Sequence, residues 1–230
     1  DPTYLEFEYM QHMDAVVSSL WGPRDRFRAL HVGGAACALA CAWSSSHPQS
    51  RHVAVEVDRS LAEQVREHFP IPKAPQVKIR VGDGRAVLDG TREGSFDVIV
   101  RDAFASGVTP DHLRTVECAD RARRALTASG VYLVNCAHGG PANARQDVAA
   151  LQDVFPFVAS IQDPKVGRGG RRGNVVALAS AADVVDVDQI DRALRMLALP
   201  ARITRPAELT RWVAGTPTLT DAQVGYPQAD

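Results

Sequence analysis

From Ala29 onward, apolar and polar residues follow two alternating patterns along the chain. Short runs rich in β-branched residues, with the length of buried strands, are separated by longer amphipathic stretches typical of helices. Strands are predicted at Ala29–Val32, His52–Val57, Val77–Val81, Phe96–Val100 and Val131–Asn135. Helices are predicted at Ala36–Trp43, Ser60–Phe69, Arg85–Leu88, His112–Leu126 and Ala142–Val154. This order predicts an α/β fold in which helices cover both faces of a parallel sheet.

After Pro156 the alternation of strand-like and helix-like segments stops. Two apolar runs, Val158–Gln162 and Asn174–Ser180, are joined by a glycine-rich segment too short for a crossover helix, so they predict an antiparallel hairpin. A further surface helix is expected at Val187–Leu197. The whole pattern predicts a Rossmann-like fold of the S-adenosylmethionine-dependent methyltransferase type, with a mostly parallel seven-stranded sheet that ends in an antiparallel hairpin. Nicotinamide dehydrogenases normally keep their strands parallel, so hydride transfer is disfavoured.

Composition narrows the classes of partner. The chain has 230 residues, with 26 Lys and Arg against 27 Asp and Glu, so no net field favours nucleic acid or a membrane surface. No apolar run reaches the roughly 20 residues needed to cross a bilayer. The four cysteines lack the spacing of a zinc site or of a disulfide framework. We therefore expect a cytoplasmic protein that binds a small molecule and no metal.

Candidate ligand-binding residues lie at or just beyond the carboxyl ends of the first three predicted strands: Gly33 and Gly34, then Glu56, then Asp83 and Gly84. Glycines allow a sharp turn and close approach of a ligand, and an acidic residue at the end of the second strand is placed to accept hydrogen bonds from ribose hydroxyls. Each element alone is more readily explained as an ordinary βα turn or a surface carboxylate. Together they predict a nucleoside site, and because no P-loop lysine accompanies the glycines, a nucleoside with little phosphate fits better than ATP.

Asp102 follows the fourth strand, so its side chain is expected at the rim of the same crevice. It is the candidate general base, and the alternative is a cap or loop carboxylate. His138, after the fifth strand, is interpreted as part of a turn. The basic segment Lys165–Arg172 is interpreted as a hairpin loop, because no aromatic residues interleave it for stacking on bases.

These motifs together resemble the spermidine synthase-like family of polyamine aminopropyltransferases. The resemblance extends from Glu6 to about Ser180 and rests on Tyr4–Tyr9, the glycine turn, Val55–Asp58, Val81–Gly84 and the strand before Asp102. It implies that residues 1–28 form a segment on the substrate side and that residues 29–230 form a single nucleoside-binding catalytic domain. Only the family's catalytic core is represented.

The resemblance also implies roles for individual residues. Asp102 would accept a proton from the attacking amine, and Tyr9 would help to place that amine. Glu56 would hold the ribose and Asp83 the adenine. The implied cosubstrate is decarboxylated S-adenosylmethionine, the implied acceptor is a diamine such as putrescine, and the implied assembly is a homodimer.

Two positions depart from the family pattern. Ala36 stands where the glycine loop of the family carries an aspartate, and Ala105 stands where a second aspartate follows the base. Each missing carboxylate removes a charged hydrogen bond of about 1.5 to 3 kcal/mol to a cationic substrate. Two alternatives therefore stay open: a methyltransferase that uses S-adenosylmethionine itself, and a catalytically silent nucleoside-binding homologue.

Overall fold

The computed structural model describes residues 1–34, 36–162, 166, 172–182 and 185–227. In that part of the chain the strands are β1 (Arg28–Val32), β2 (Arg51–Glu56), β3 (Val77–Val81), β4 (Phe96–Arg101), β5 (Leu126–His138), β6 (Phe157–Gln162), β7 (Gly173–Ser180) and β8 (Arg202–Thr204). The helices are α1 (Glu8–Leu20), α2 (Ala38–Ser46), α3 (Arg59–His68), α4 (Gly84–Asp89), α5 (Val116–Ala125), α6 (Ala144–Gln152), α7 (Val187–Arg195), α8 (Pro206–Val213) and α9 (Asp221–Val224). A short 3-10 turn at Asp111–Leu113 precedes α5.

The strands form one eight-stranded sheet in the order β3-β2-β1-β4-β5-β7-β6-β8. From β3 to β5 the neighbours pair in parallel, whereas β7, β6 and β8 add antiparallel. The strand order reverses between β1 and β4, and open α/β sheets bind ligands beyond the carboxyl ends of the strands at such a reversal. The predicted α/β class, with a mostly parallel sheet ending in antiparallel strands, is confirmed.

Alternate residues of the central strands enter two apolar layers. In β4, Val98 and Val100 face the layer that contains α1, α2 and α7, whereas Ile99 faces the layer that contains α4, α5, α6 and α8. Burial of each such side chain contributes about 1.5 to 3 kcal/mol. A strand that is buried on both faces has a continuous run of apolar residues. This pattern allowed the central strands to be predicted from the sequence. Within the described ranges, no helix combines the length and the apolar character that a bilayer crossing requires.

The sheet has one strand more than the seven predicted. β8 is three residues long and only Ile203 in it is buried, so no periodic pattern marks it. The sequence interpretation also assigned no helix to the first 28 residues, yet α1 packs Met13 and Val16 into the core. Ser60 has the spacing of a capping box with Glu63, but Asp58 caps α3 by accepting the N–H of Leu61.

Two buried histidines lie side by side in β1 and β2. The hydroxyl of Ser50 donates its hydrogen to the carbonyl of His47 at 2.7 Å. The same oxygen lies 2.7 Å from His52 Nε2, and because its one hydrogen is already used, it accepts the hydrogen of that ring nitrogen. His52 Nδ1 then accepts from His31 Nε2 at 3.1 Å. Both rings are neutral in this chain of hydrogen bonds, and burial lowers the pKa of His31 to about 4 and that of His52 to about 2.

This histidine pair predicts that acid destabilises the fold. In the unfolded chain both histidines take up a proton near pH 6.5, whereas in the folded chain their lowered pKa values keep them neutral. The stability that is present above about pH 6.5 is therefore lost as the pH falls towards 4. The loss is about 1.4 kcal/mol per pH unit for each histidine. Urea unfolding between pH 7.5 and 5 measures the slope. His52→Gln should reduce it and His68→Gln, at an exposed position, should not; equal slopes in the two variants would contradict the assignment.

Candidate nucleoside and amine site

A crevice of about 470 Å³ opens at the carboxyl ends of the first four strands. Its walls include every residue that the sequence singled out for binding or catalysis: Tyr9, Gly33, Gly34, Glu56, Asp83, Gly84 and Asp102. The structure therefore brings these residues together at one site. Their individual roles remain predictions.

Three glycines of the crevice wall pack closely against neighbouring parts of the chain. Gly33 has φ +85°, and a Cβ atom there would lie 2.4 Å from the carbonyl oxygen of Asp102. A Cβ on Gly34 would lie 2.7 Å from that of Ala54, and one on Gly84 would lie 2.3 Å from a methyl group of Val32. Close packing thus requires glycine at these positions, and the role of the same glycines in admitting a ligand stays a prediction.

Glu56 is the last residue of β2 and is buried at the crevice wall, with 8% of its surface exposed. Its Oε1 atom accepts the backbone N–H of Asp58 at 3.0 Å. Asp58 in turn caps α3, so the carboxylate is held by the turn that starts the helix. A carboxylate fixed in this way needs no reordering to meet a pair of hydroxyl groups.

Asp83 is held from two sides. Its Oδ1 atom accepts the N–H of Ala86 at 2.9 Å and thereby caps α4. Its Oδ2 atom lies 3.0 Å from Nε2 of His112, a residue that sequence reasoning had assigned only to a helix. Each carboxylate oxygen accepts more than one hydrogen bond, so Asp83 retains acceptor capacity towards the crevice.

Residues near the carboxyl end of the described chain contact His112 and the helix that Asp83 caps. The ring of Tyr226 stacks parallel to the His112 ring with centroids 5.6 Å apart, and the guanidinium of Arg85 lies 4.4 Å from the centre of the Tyr226 ring. Arg85 and Asp221 form a buried bidentate ion pair with N–O distances of 2.8 and 2.5 Å. Removing one partner of such a pair leaves the other charge buried and costs about 3 to 5 kcal/mol. The orientation of Asp83 thus depends on residues more than a hundred positions away.

Asp102 lies directly after β4 and is half-buried. Its Oδ2 atom accepts the phenolic hydrogen of Tyr9 at 2.8 Å, and its Oδ1 atom accepts an amide hydrogen of Asn135 at 2.8 Å. Asn135 itself accepts from Asn174 at 2.7 Å. The sequence alone did not point to Asn135 or Asn174. A signal was available for Asn135, because it is a polar residue at the end of the predicted strand Val131–Asn135, and that strand lies beside β4.

Burial sets the chemistry of this pair. It raises the pKa of Asp102, against the opposing effects of the hydrogen bonds from Asn135 and Tyr9 and of the charge on Arg101. It also raises the pKa of Tyr9, helped by the negative charge on Asp102, so the phenol keeps its proton. A carboxylate with a raised pKa is a stronger proton acceptor than one in water.

Other candidate residues lie away from this chemistry. His138 ends β5, where its Nδ1 atom accepts the N–H of Ala144 at 3.3 Å and its ring packs on Trp212. Of the basic segment Lys165–Arg172, residues 165 and 167–171 lie outside the described residues. The four cysteines are thiols and not disulfides. No cluster of His, Cys, Asp and Glu side chains suited to a metal ion occurs among the residues that the structure describes.

The sheet order and the position of the crevice define a Rossmann-like domain of the methyltransferase type. No protein-family model matches the chain. Polyamine aminopropyltransferase from Vibrio vulnificus (strain CMCP6) is 26% identical over 118 residues, which cover 50% of this chain and only 39% of that relative.

Two solved structures are similar over nearly the whole chain. A probable spermidine synthase from Corynebacterium glutamicum ATCC 13032 is 33% identical with a TM-score of 0.86, covering 96% of this chain and 82% of that one. Human methyltransferase-like protein 13 in complex with SAH is 18% identical with a TM-score of 0.66, covering 94% and 96%, and at this identity the likeness shows the fold alone. The chain belongs to the spermidine synthase-like family, a family of transferases.

Gly33→Ala should damage the site through contact with the backbone of Asp102. Gly215→Ala is the matched control, because Gly215 has φ +74° with nothing within 4 Å of an added Cβ. The control should lose about 1 to 2 kcal/mol from left-handed backbone strain alone, and Gly33→Ala should lose about 1 to 3 kcal/mol more from overpacking. Urea unfolding compares the two, and equal losses would mean that the loop shifts to relieve the contact.

Asn135→Ala should raise the pKa of Asp102 further, because a hydrogen bond that favours the charged carboxylate is removed. Carbon-13 NMR titration of labelled aspartates measures the change. Asn143→Ala, which alters an asparagine that caps α6, is the control and should leave the titration of Asp102 unchanged. A fall in the pKa of Asp102 would contradict the assigned geometry.

Proposed function

We propose that the protein is an aminopropyltransferase that moves an aminopropyl group from decarboxylated S-adenosylmethionine to an amine. The observation that carries the proposal is the Asp102–Tyr9 pair, joined at 2.8 Å on the wall of a crevice that also holds Glu56 and Asp83. A cytosolic location is part of the proposal and agrees with the cysteine thiols.

The donor side of the crevice suits an adenosine. The volume of about 470 Å³ is within the range of small-molecule sites, which are mostly apolar with a few placed polar groups. Glu56 supplies acceptors for the ribose hydroxyls and Asp83 an acceptor for the adenine amino group. Val57 and Leu61 line the wall with 70% and 37% of their surfaces exposed, so they offer apolar area for a purine ring to cover.

The reaction is a displacement at carbon. The lone pair of the acceptor nitrogen forms an N–C bond to the aminopropyl carbon as the C–S bond breaks, and the sulfonium becomes the neutral thioether of methylthioadenosine. Only an unprotonated amine has that lone pair, whereas a free alkylamine is almost wholly protonated at pH 7. Asp102 accepts the nitrogen-bound proton, a contribution of about 10²- to 10⁴-fold. Tyr9 holds the carboxylate in place.

Ala36 favours a second candidate, a methyltransferase that uses S-adenosylmethionine itself. Ala36 lines the crevice and is exposed there. A carboxylate at this position would repel the carboxylate of the intact donor, whereas alanine does not. Donor preference separates the two reactions: the decarboxylated donor supports aminopropyl transfer, and the intact donor supports methylation.

The test combines binding with turnover. Calorimetric titration with methylthioadenosine should show binding that weakens about 10- to 100-fold in Glu56→Gln, because an amide oxygen replaces a charged acceptor while the contact to Asp58 is retained. Asp102→Asn should keep methylthioadenosine binding and lose about 10²- to 10⁴-fold in methylthioadenosine formation from the decarboxylated donor and an amine.

Asp188→Asn, at an exposed carboxylate paired with Arg205, is the control and should behave like the unaltered protein in both assays. Preferred binding of the intact donor, with methyl transfer, would support the second candidate. Absence of binding by methylthioadenosine, S-adenosylhomocysteine and the decarboxylated donor would reject both reactions.

A further inference from the structure

At the acceptor end of the crevice, the residues that the structure describes supply one carboxylate. Among the described residues that line the crevice, the acidic side chains are Glu56, Asp83 and Asp102. Glu56 ends β2 and Asp83 lies beyond β3, both on the proposed nucleoside side, which leaves Asp102 as the carboxylate beside Tyr9 among these three. Glu6, close in sequence to Tyr9, is not part of the crevice wall and accepts the hydroxyl of Tyr4 instead.

Aromatic side chains occupy the surface around Asp102. Phe7 stacks on the ring of Tyr9 with centroids 5.8 Å apart and an interplanar angle of 20°. Phe104 lies two residues beyond Asp102, and both phenylalanines line the crevice. Phe7 is 57% exposed and Phe104 is 40% exposed. Large apolar side chains left exposed at a crevice mark a surface that an apolar ligand group covers favourably.

A tight hairpin fixes this apolar wall. Ala105 donates its N–H to the carbonyl of Val108 at 2.8 Å and accepts the N–H of Val108 at 3.1 Å. Ser106 and Gly107, between them, have φ of 51° and 81°, the left-handed pair typical of a two-residue hairpin turn. Ala105 and Ala36 both line the crevice. Among the described lining residues, these two positions therefore supply no second anionic partner at the acceptor end.

We propose that the acceptor is a monoamine with an alkyl or aryl body, and not a diamine. The inference rests on the proposed aminopropyl transfer. The amino group lies at Asp102 and Tyr9, where it loses one proton to Asp102 as its nitrogen bonds to the aminopropyl carbon and methylthioadenosine leaves. The apolar body packs on Phe7 and Phe104. A diamine would bring a second ammonium against an apolar wall where the described lining residues supply no further carboxylate to pair it, and an unpaired buried charge is costly.

The experiment uses two acceptors that differ at one end only. Putrescine carries a terminal ammonium where n-pentylamine carries a methyl group on the same four-carbon linker. Methylthioadenosine formation from the decarboxylated donor gives kcat/KM for each acceptor, and calorimetry gives the Kd of each for the protein saturated with methylthioadenosine. We expect n-pentylamine to be preferred at least about tenfold in both measurements, the effect of one unpaired polar group.

Ala105→Asp should shift the preference towards putrescine by about tenfold or more, because it supplies the missing anionic partner. Ala214→Asp, which places the same charge at an exposed position outside the crevice, should leave the ratio unchanged. Equal or better use of putrescine by the unaltered protein would overturn the monoamine inference while aminopropyl transfer stands. Donor binding with no methylthioadenosine formed from either amine would overturn the proposed function, and the monoamine inference with it.

Discussion

The site depends on how closely the ends of β1 and β4 approach each other. The N–H of Asp102 donates to the carbonyl of Val32 at 2.8 Å. Gly33, which follows Val32, has a left-handed backbone, and the atoms of Asp102 and Ala103 leave no room there for a side chain. This junction lies where the strand order reverses, so the loops on its two sides run in opposite directions and open a crevice. Because Asp102 and the glycine turn are parts of one hydrogen-bonded junction, the proposed proton acceptor and the proposed nucleoside-binding wall are positioned together.

The acidic residues of the crevice also hold the fold together. Asp83 caps α4, and Glu56 holds the N–H of Asp58, which caps α3. Each cap satisfies a helix N–H that would otherwise lack a partner, an effect of about 1 kcal/mol. The same contacts fix the carboxylates before any ligand arrives, so binding need not order them. Alanine at Asp83 would therefore confound loss of a ligand contact with loss of a helix cap, and alanine at Glu56 would confound it with loss of the contact to the capping residue Asp58. An amide at either position keeps an acceptor oxygen for these contacts and removes the charge.

Sequence predicted the parts of the site that depend on local pattern. Glu56, Asp83 and Asp102 were placed at one edge because each follows a buried strand and parallel strands end at the same edge. Tyr9 came from the family resemblance. The more distant residues Asn174 and Tyr226 could not be predicted, since they reach the site through antiparallel pairing and a tail contact that leave no periodic signal. The short strand β8 was missed for the same reason: it has one buried residue, and only pairing with β6 makes it a strand.

The two alanines at the crevice bear on base strength as well as on substrate choice. A second carboxylate near Asp102 would repel its charge and raise its pKa beyond the increase that burial already causes, and it would also attract the cation whose proton must be removed. With Ala36 and Ala105 in place, the described lining residues leave the pKa of Asp102 to be set by burial, by two hydrogen bonds and by Arg101. An acceptor with one amino group brings one positive charge to this single negative charge, so the pair is neutral and needs no further counterion. The neutral pairing at Asp102 and the aromatic surface beside it therefore favour the same class of acceptor.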